Sequence, residues 1–244
     1  MRKLLLVLLV GVVSVLMTSG VAFAAKKYQE VDAAEVKRLM EQEDALVVFP
    51  LSPIEFNDKH IKGSVNIIMV MLEYELPEDK EKKLVFYCLG TKCVASWRAA
   101  KEAVALGYKN VYAFREGIPG WEKAGYPLET IKKLPDVEIR KISTMELATS
   151  LDNEDIVLLD INLEEDARKF RIDHKKCKHI PLDELNVSLT QLPRDKKIAV
   201  ICLKGKRSLT AVRYLSGQGF KNVVVVEGGI QKWILEGRPV KQAG

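Results

Sequence analysis

Two stretches of the chain place cysteines directly after apolar runs: FYCLGTKCVASWRAA from Phe86 to Ala100, and VICLKGKRSLTAV from Val200 to Val212. In the second, Cys202-Leu203-Lys204-Gly205-Lys206-Arg207 forms a loop leading into a helix expected from Ser208 to Leu215. Gly205 allows positive φ there. Successive N–H groups can then face inward as an anion nest, reinforced by the helix N-terminus at Ser208. Lys204, Lys206 and Arg207 add positive charge. Such surroundings favour a thiolate at Cys202. A thiolate in an anion cradle suits attack on a sulfur or phosphorus centre. The bland alternative is a basic surface turn.

The elements that must position these cysteines occur twice. Gly107, Asn110, Val111, Gly117, Ile118, Trp121, Gly125 and Pro127 recur at a constant offset of 112, as Gly219, Asn222, Val223, Gly229, Ile230, Trp233, Gly237 and Pro239. A period this long is a duplicated domain, not a solenoid. Each copy begins with a capped helix: DAAE at Asp32 and STME at Ser143 both set a capping oxygen three residues before a Glu. Apolar strands follow at Ala45 and Asp155, then buried strands at Lys83 and Lys197 that end on Cys88 and Cys202. An amphipathic helix, a short strand (NVYAF, NVVVVE), a Gly turn and a Trp-bearing helix complete each copy. This alternation predicts α/β domains, each a parallel sheet with helices on both faces. The polar, Pro-containing segment Thr130 to Glu138 reads as the linker. Ligands of such sheets bind at the carboxyl ends of the strands, where Cys88 and Cys202 stand. A cysteine there can also be a small buried hydrophobe.

The N-terminus has the pattern of a secretory leader: Arg2 and Lys3, an apolar core from Leu4 to Met17, and Ala22-Phe23-Ala24. Cleavage after Ala24 is expected, which places the protein in the periplasm or outside the cell. An uncleaved anchor is the alternative, although the core is short for a spanning helix. No cysteine precedes Cys88, so a lipid-modified N-terminal cysteine is excluded, and no stable membrane insertion is expected after cleavage. Loss of Arg2 and Lys3 takes the net charge from +5 to +3. The remaining Lys and Arg are interspersed with Asp and Glu, without the basic face that nucleic-acid binding requires. Four cysteines are too few for a disulfide scaffold.

The chain resembles the rhodanese family over its whole length after the leader. The six-residue loop from Cys202 to Arg207, Lys204-Gly205 within it, and the Gly228-Gly229-Ile230 and Trp233 signature carry the resemblance. Asp160-Ile161-Asn162 is similar to the family's Asp-Val-Arg but lacks the Arg. DHKKCKHIPLDEL is similar to its His-Ile-Pro-Gly-Ala stretch, which makes Cys177 structural and His174 and His179 packing or loop residues. With the leader at residues 1–24, the resemblance implies tandem rhodanese-like domains at 26–130 and 138–244. It also implies a sulfurtransferase that needs no metal or organic cofactor. Cys202 would attack the outer sulfur of a small anionic donor such as thiosulfate and become a persulfide. Leu203, Lys204, Gly205, Lys206, Arg207 and Ser208 would hold the anion, with Asp160 in support. A thiol, cyanide or protein would accept the sulfur. A related phosphatase family shares the fold but has a loop one residue longer, which favours sulfur over phosphate here. A non-enzymatic persulfide carrier, and a thiol–disulfide protein using Cys88 and Cys93, are the rival classes.

The first copy is less regular. Ser96 aligns with Ser208, so the loop after Cys88 is two residues longer; it contains Gly90 and Lys92 but no Arg before Ser96, and Arg98 lies in the helix that follows. Phe49-Pro50-Leu51 replaces the charged Asp-Val-Arg motif, and His60 reads as a loop-orienting residue. Four readings of Cys88 and Cys93 stay open. Zinc needs about four ligands, and only His60 is added here. A Cys88–Cys93 disulfide fits a tight loop in an oxidising compartment. Cys88 could instead be a second sulfur-transfer cysteine with Cys93 resolving its persulfide, or a vestigial site.

Overall fold

The computed structural model describes residues 28–241. The leader expected at residues 1–24 lies outside them. Among the described residues, no helix is long and apolar enough to cross a membrane.

The first half of the chain runs β1 (Gln29–Glu30), α1 (Ala33–Glu43), β2 (Leu46–Phe49), α2 (Pro53–Asp58), β3 (His60–Ile61), β4 (Val65–Asn66), α3 (Leu72–Glu75), β5 (Lys83–Tyr87), α4 (Ala95–Ala105), β6 (Asn110–Phe114), α5 (Gly117–Lys123) and β7 (Leu128–Glu129). The second half runs β8 (Lys141–Ile142), α6 (Thr144–Asn153), β9 (Ile156–Asp160), α7 (Glu164–Lys169), β10 (Cys177–His179), β11 (Lys197–Ile201), α8 (Arg207–Gly217), β12 (Val223–Val226) and α9 (Gly229–Leu235). The two main sheets are parallel throughout and have matching orders, β4-β2-β5-β6-β1 and β10-β9-β11-β12-β8. A short antiparallel ribbon pairs β3 with β7.

Local chemistry sets the boundaries. Asp32 accepts from the Glu35 N–H at 2.8 Å to start α1. Ser143 and Glu146 form a reciprocal capping box that starts α6. Along β5, Val85 and Tyr87 enter a core with Val36 and Leu39 of α1 and Trp121 of α5. Leu84 and Phe86 enter the opposite core, with Leu72 of α3 and Ala99 and Ala103 of α4. In the second half, Ala199 and Ile201 of β11 face α6 and α9, while Ile198 and Val200 face α8. Both faces of each sheet are therefore covered, and this is why the strands read as unbroken apolar runs. Each fully buried Leu or Val contributes about 1.5–3 kcal/mol.

The repeated Trp and Pro have one structural task. Trp121 Nε1 donates to the Pro127 carbonyl and Trp233 Nε1 to the Pro239 carbonyl, both at 2.9 Å, closing the end of each Trp helix. The segment between β7 and β8 is pinned rather than free: the Leu134 N–H donates to Asp58, and Leu134 itself lies in the second half's core beside Ile54 of α2.

Candidate active site

Cys202 follows β11 at the carboxyl edge of its sheet. The first turn of α9 clamps the loop: the Ile230 N–H donates to the Cys202 carbonyl and the Gln231 N–H to the Leu203 carbonyl, both at 3.0 Å. Gly229 makes this approach possible. Its φ is +65°, and a Cβ there would lie 2.1 Å from the Cys202 oxygen and 2.7 Å from the Gly205 nitrogen. Gly205 turns the loop with φ +73°. Lys204 and Lys206 are exposed, and Ser208 is buried in the first turn of α8. The Ser208 hydroxyl has no hydrogen-bond partner among the described residues.

The first half repeats the clamp. Cys88 follows β5, and its carbonyl accepts from the Ile118 N–H at 3.0 Å. A Cβ on Gly117, whose φ is +56°, would lie 1.9 Å from that oxygen. Measured from the strand end, Cys88 is thus the counterpart of Cys202. The two extra residues fall between Cys88 and α4, where Gly90 (φ +122°) turns the chain and the Cys93 N–H donates to the Gly90 carbonyl at 2.9 Å. The Cys88 sulfur lies 3.6 Å from Ser96 Oγ and 3.9 Å from the Gly90 carbonyl. Burial opposes ionisation of Cys88, but hydrogen bonds with Cys93 and Ser96 outweigh it and bring the thiol down to about 7. The hydrogen bond to Cys88 holds the proton on Cys93, and burial adds to this, so Cys93 titrates far above the ordinary thiol range. No S–S bond joins Cys88 and Cys93 in this structure.

Both loops open onto one cavity of about 660 Å³ between the halves. Leu89 and Cys93 line it from one side and Cys202 and Leu203 from the other; Lys92, Lys123, Lys204 and Lys206 supply its cations. Cys88 is wholly buried and lies off this wall.

Arg207 departs from the sequence expectation. It lines the cavity, but its guanidinium donates to Glu55 of α2 at 2.8 and 3.0 Å and to Asp183 at 2.6 Å. Two buried carboxylates match its charge, so that charge is engaged with protein rather than held out to an anion. Arg98 of α4 likewise donates to both oxygens of Asp166 in α7, at 3.1 and 3.2 Å. Glu55 and Asp166 are each the third residue of their short helix. The helix following each cysteine loop is therefore tied to the short helix of the other half.

Asp160 accepts from the backbone and side-chain N–H groups of Asn162, at 3.0 and 2.7 Å. Burial pushes its carboxyl upward despite those bonds. His179 Nε2 lies 2.8 Å from the Asn162 carbonyl, so Asp160 and His179 together fix a loop that borders the cavity. His60 stacks on Phe56, with its Nδ1 2.9 Å from the Phe56 carbonyl. His174 accepts from the Lys176 N–H at 3.2 Å. Cys177, half-buried in β10, is pushed up to about 12 by burial first. Among the described residues, no group of three or more His, Cys, Asp or Glu could hold a metal ion. The sequence reading missed the clamp roles of Gly117 and Gly229, although the repeat contained both. It also missed Asp183, and Glu55 and Asp166, whose partners lie in the other half of the chain.

The Rhodanese-like domain family matches residues 32–124 and again 143–236. The chain belongs to that family, with two of its domains in tandem. A sulfurtransferase of Allochromatium vinosum is 28% identical over 103 residues, covering 42% of this chain and 94% of that protein. The thiosulfate sulfurtransferase GlpE of Pseudomonas savastanoi pv. phaseolicola is 33% identical over 89 residues, covering 36% of this chain and 81% of its own. Among solved structures, a rhodanese-related protein from Thermoplasma volcanium is 40% identical, covers 42% of this chain and 98% of its own, and has a TM-score of 0.39.

Proposed function

We propose that this protein is a sulfurtransferase that takes sulfane sulfur from an anionic donor such as thiosulfate onto Cys202 and passes it to a thiol, cyanide or protein acceptor. The observation that carries this reading is the placement of Cys202, clamped at the end of β11 and on the wall of a cavity with Lys204 and Lys206 beside it. The Cys202 thiolate attacks the outer sulfur of thiosulfate. The S–S bond of the donor breaks, sulfite leaves with the electron pair, and Cys202 carries the persulfide. A loop turned by positive φ at Gly205 directs N–H groups toward that charge, and Lys204 and Lys206 offset it. Sulfur transfer is also the activity in the names of the two relatives. Export to the periplasm or beyond is part of the proposal, and the N-terminal sequence of the mature protein tests it. The activity test is thiosulfate-to-cyanide turnover and persulfide mapping. With thiosulfate in excess, so that Cys202 reloads, the wild type is expected to form thiocyanate and carry one sulfur on Cys202, and Cys202→Ser to do neither. Release of phosphate from an aryl phosphate by a wild type inert to thiosulfate would overturn the assignment.

A further inference from the structure

The first cysteine loop differs from the second in a way that gives it separate chemistry. In the second loop the cysteine after the strand itself lines the cavity. In the first, Cys93 occupies the wall and packs against the core cluster that contains Cys88, which sits behind it. Sulfur arriving from the cavity therefore meets Cys93 first. We propose that Cys93 accepts the sulfane sulfur of the Cys202 persulfide across this cavity, and that Cys88 then displaces it as sulfide. The inference rests on the reading of Cys202 as the sulfur-loaded residue and adds a reductive exit to it.

In the first step Cys93 attacks the outer sulfur of Cys202–S–SH while its proton passes to the Cys88 thiolate. The S–S bond to Cys202 breaks, and Cys202 keeps the electron pair as a thiolate. In the second step Cys88 attacks the inner sulfur of Cys93–S–SH. A Cys88–Cys93 disulfide forms, and the outer sulfur leaves with both hydrogens as hydrogen sulfide. The sulfane sulfur gains two electrons, one from each of the two cysteine sulfurs. An external dithiol reductant must reset the disulfide before the next cycle.

Three features support this order. Cys88 ionises near neutral pH and accepts the Cys93 hydrogen bond, so it serves first as base and then as resolving thiol. The loop closed by the Cys93-to-Gly90 backbone bond keeps the two thiols adjacent. Both loops open on the same cavity, and the Arg98–Asp166 and Arg207–Glu55 pairs hold the two halves around it.

The test is a single turnover of the reduced protein with thiosulfate labelled in its outer sulfur, without added thiol, followed by mass mapping of each cysteine. The wild type is expected to release one labelled sulfide per chain, with Cys88 and Cys93 joined and Cys202 free, at a rate independent of protein concentration. Cys93→Ser should leave the label on Cys202 and lower sulfide release at least about tenfold. Cys88→Ser removes both the base and the resolving thiol and should keep the label on the protein, at Cys202 or Cys93, with no sulfide released; Cys88→Ala gives the same reading if the serine disturbs the fold. Sulfide release by Cys93→Ser at the wild-type rate would overturn the proposal. So would a wild type that keeps its label on Cys202 with Cys88 and Cys93 reduced, or a rate proportional to protein concentration. If neither thiosulfate nor inorganic polysulfide labels any cysteine, the sulfur-transfer reading fails and the exit fails with it.

Discussion

Ser96 and Ser208 occupy the same place in the two halves, the second residue of the helix behind each cysteine, yet their hydroxyls differ. Ser96 contacts the Cys88 sulfur, while Ser208 is buried without a partner among the described residues. A buried unpaired hydroxyl lowers stability and a paired one raises it. Ser208→Ala is therefore expected to leave the resting protein as stable or more stable, by up to about 1 kcal/mol, and Ser96→Ala to destabilise it by about the same amount. Denaturant unfolding of both variants checks the opposite signs. Ser96→Ala should also move Cys88 upward, which a pH titration of thiolate absorbance reads directly. Cys88 is lowered from 9.0 to about 7, so its ionisation favours the folded state. That contribution is complete above the unfolded value of 9.0 and is lost as pH falls through about 7. Cys93 has the opposite sign: it keeps its proton when folded and loses it near 9.0 when unfolded, so it opposes folding above that pH. Between these limits stability should rise with pH by on the order of 2 kcal/mol, and by less in Ser96→Ala.

Between strand and helix, the cysteine loops depend on a close backbone contact with the Trp helices. A side chain at Gly229 would strike the Cys202 carbonyl and the Gly205 nitrogen while the backbone holds positive φ. Gly229→Ala is expected to cost about 3 kcal/mol from overpacking and left-handed strain together and to abolish persulfide formation on Cys202. Gly117→Ala carries a similar stability cost but should spare Cys202 loading, because its clash is with Cys88; cysteine mapping of the folded fraction separates the two. The repeat at an offset of 112 already contained both glycines, as well as the Trp–Pro pairs that close the helix ends. Such local devices were legible because each needs one residue type at one spacing. The parallel sheets were legible for the same reason, since apolar strands alternating with capped helices leave few other arrangements. The counterpart of Cys202 was harder to fix. Aligning the helices displaces Cys88 by two residues, whereas the strand ends and the Ile118 and Ile230 clamps make the two cysteines equivalent. The inserted pair lies after Cys88, and only the folded loop shows that it brings Cys93 to the cavity wall.

Across the whole molecule, the fate of Arg207 was not legible, because its partner Glu55 is 152 positions away in the chain. In the loop's sequence Arg207 reads as a cation for a donor anion; in the fold its one charge is shared by two carboxylates at the junction of the halves. Two acids on one base give an asymmetric expectation. In Glu55→Gln, Asp183 still matches Arg207, and the change relieves the repulsion that helps raise Asp183. That variant should lose little stability. In Arg207→Met, Glu55 and Asp183 stay buried with no cation, and removing one side of such a buried network costs about 3–5 kcal/mol. The loss should depend on pH. Burial already raises Asp183, and without Arg207 its folded value moves further above its unfolded one. A raised carboxyl favours the folded state only while protonated, so the Arg207→Met deficit should be smallest below the unfolded carboxylate range and grow as pH rises through it. Denaturant unfolding of both variants across that range checks the pattern, and a deficit that does not change with pH would rule out the uncompensated carboxylates as its cause. Persulfide formation on Cys202 in the folded fraction completes the test. If Arg207 acts through the junction rather than on the donor, folded Arg207→Met loads sulfur from thiosulfate with an unchanged dependence on thiosulfate concentration. An Arg207 that bound the donor directly would instead raise the concentration required.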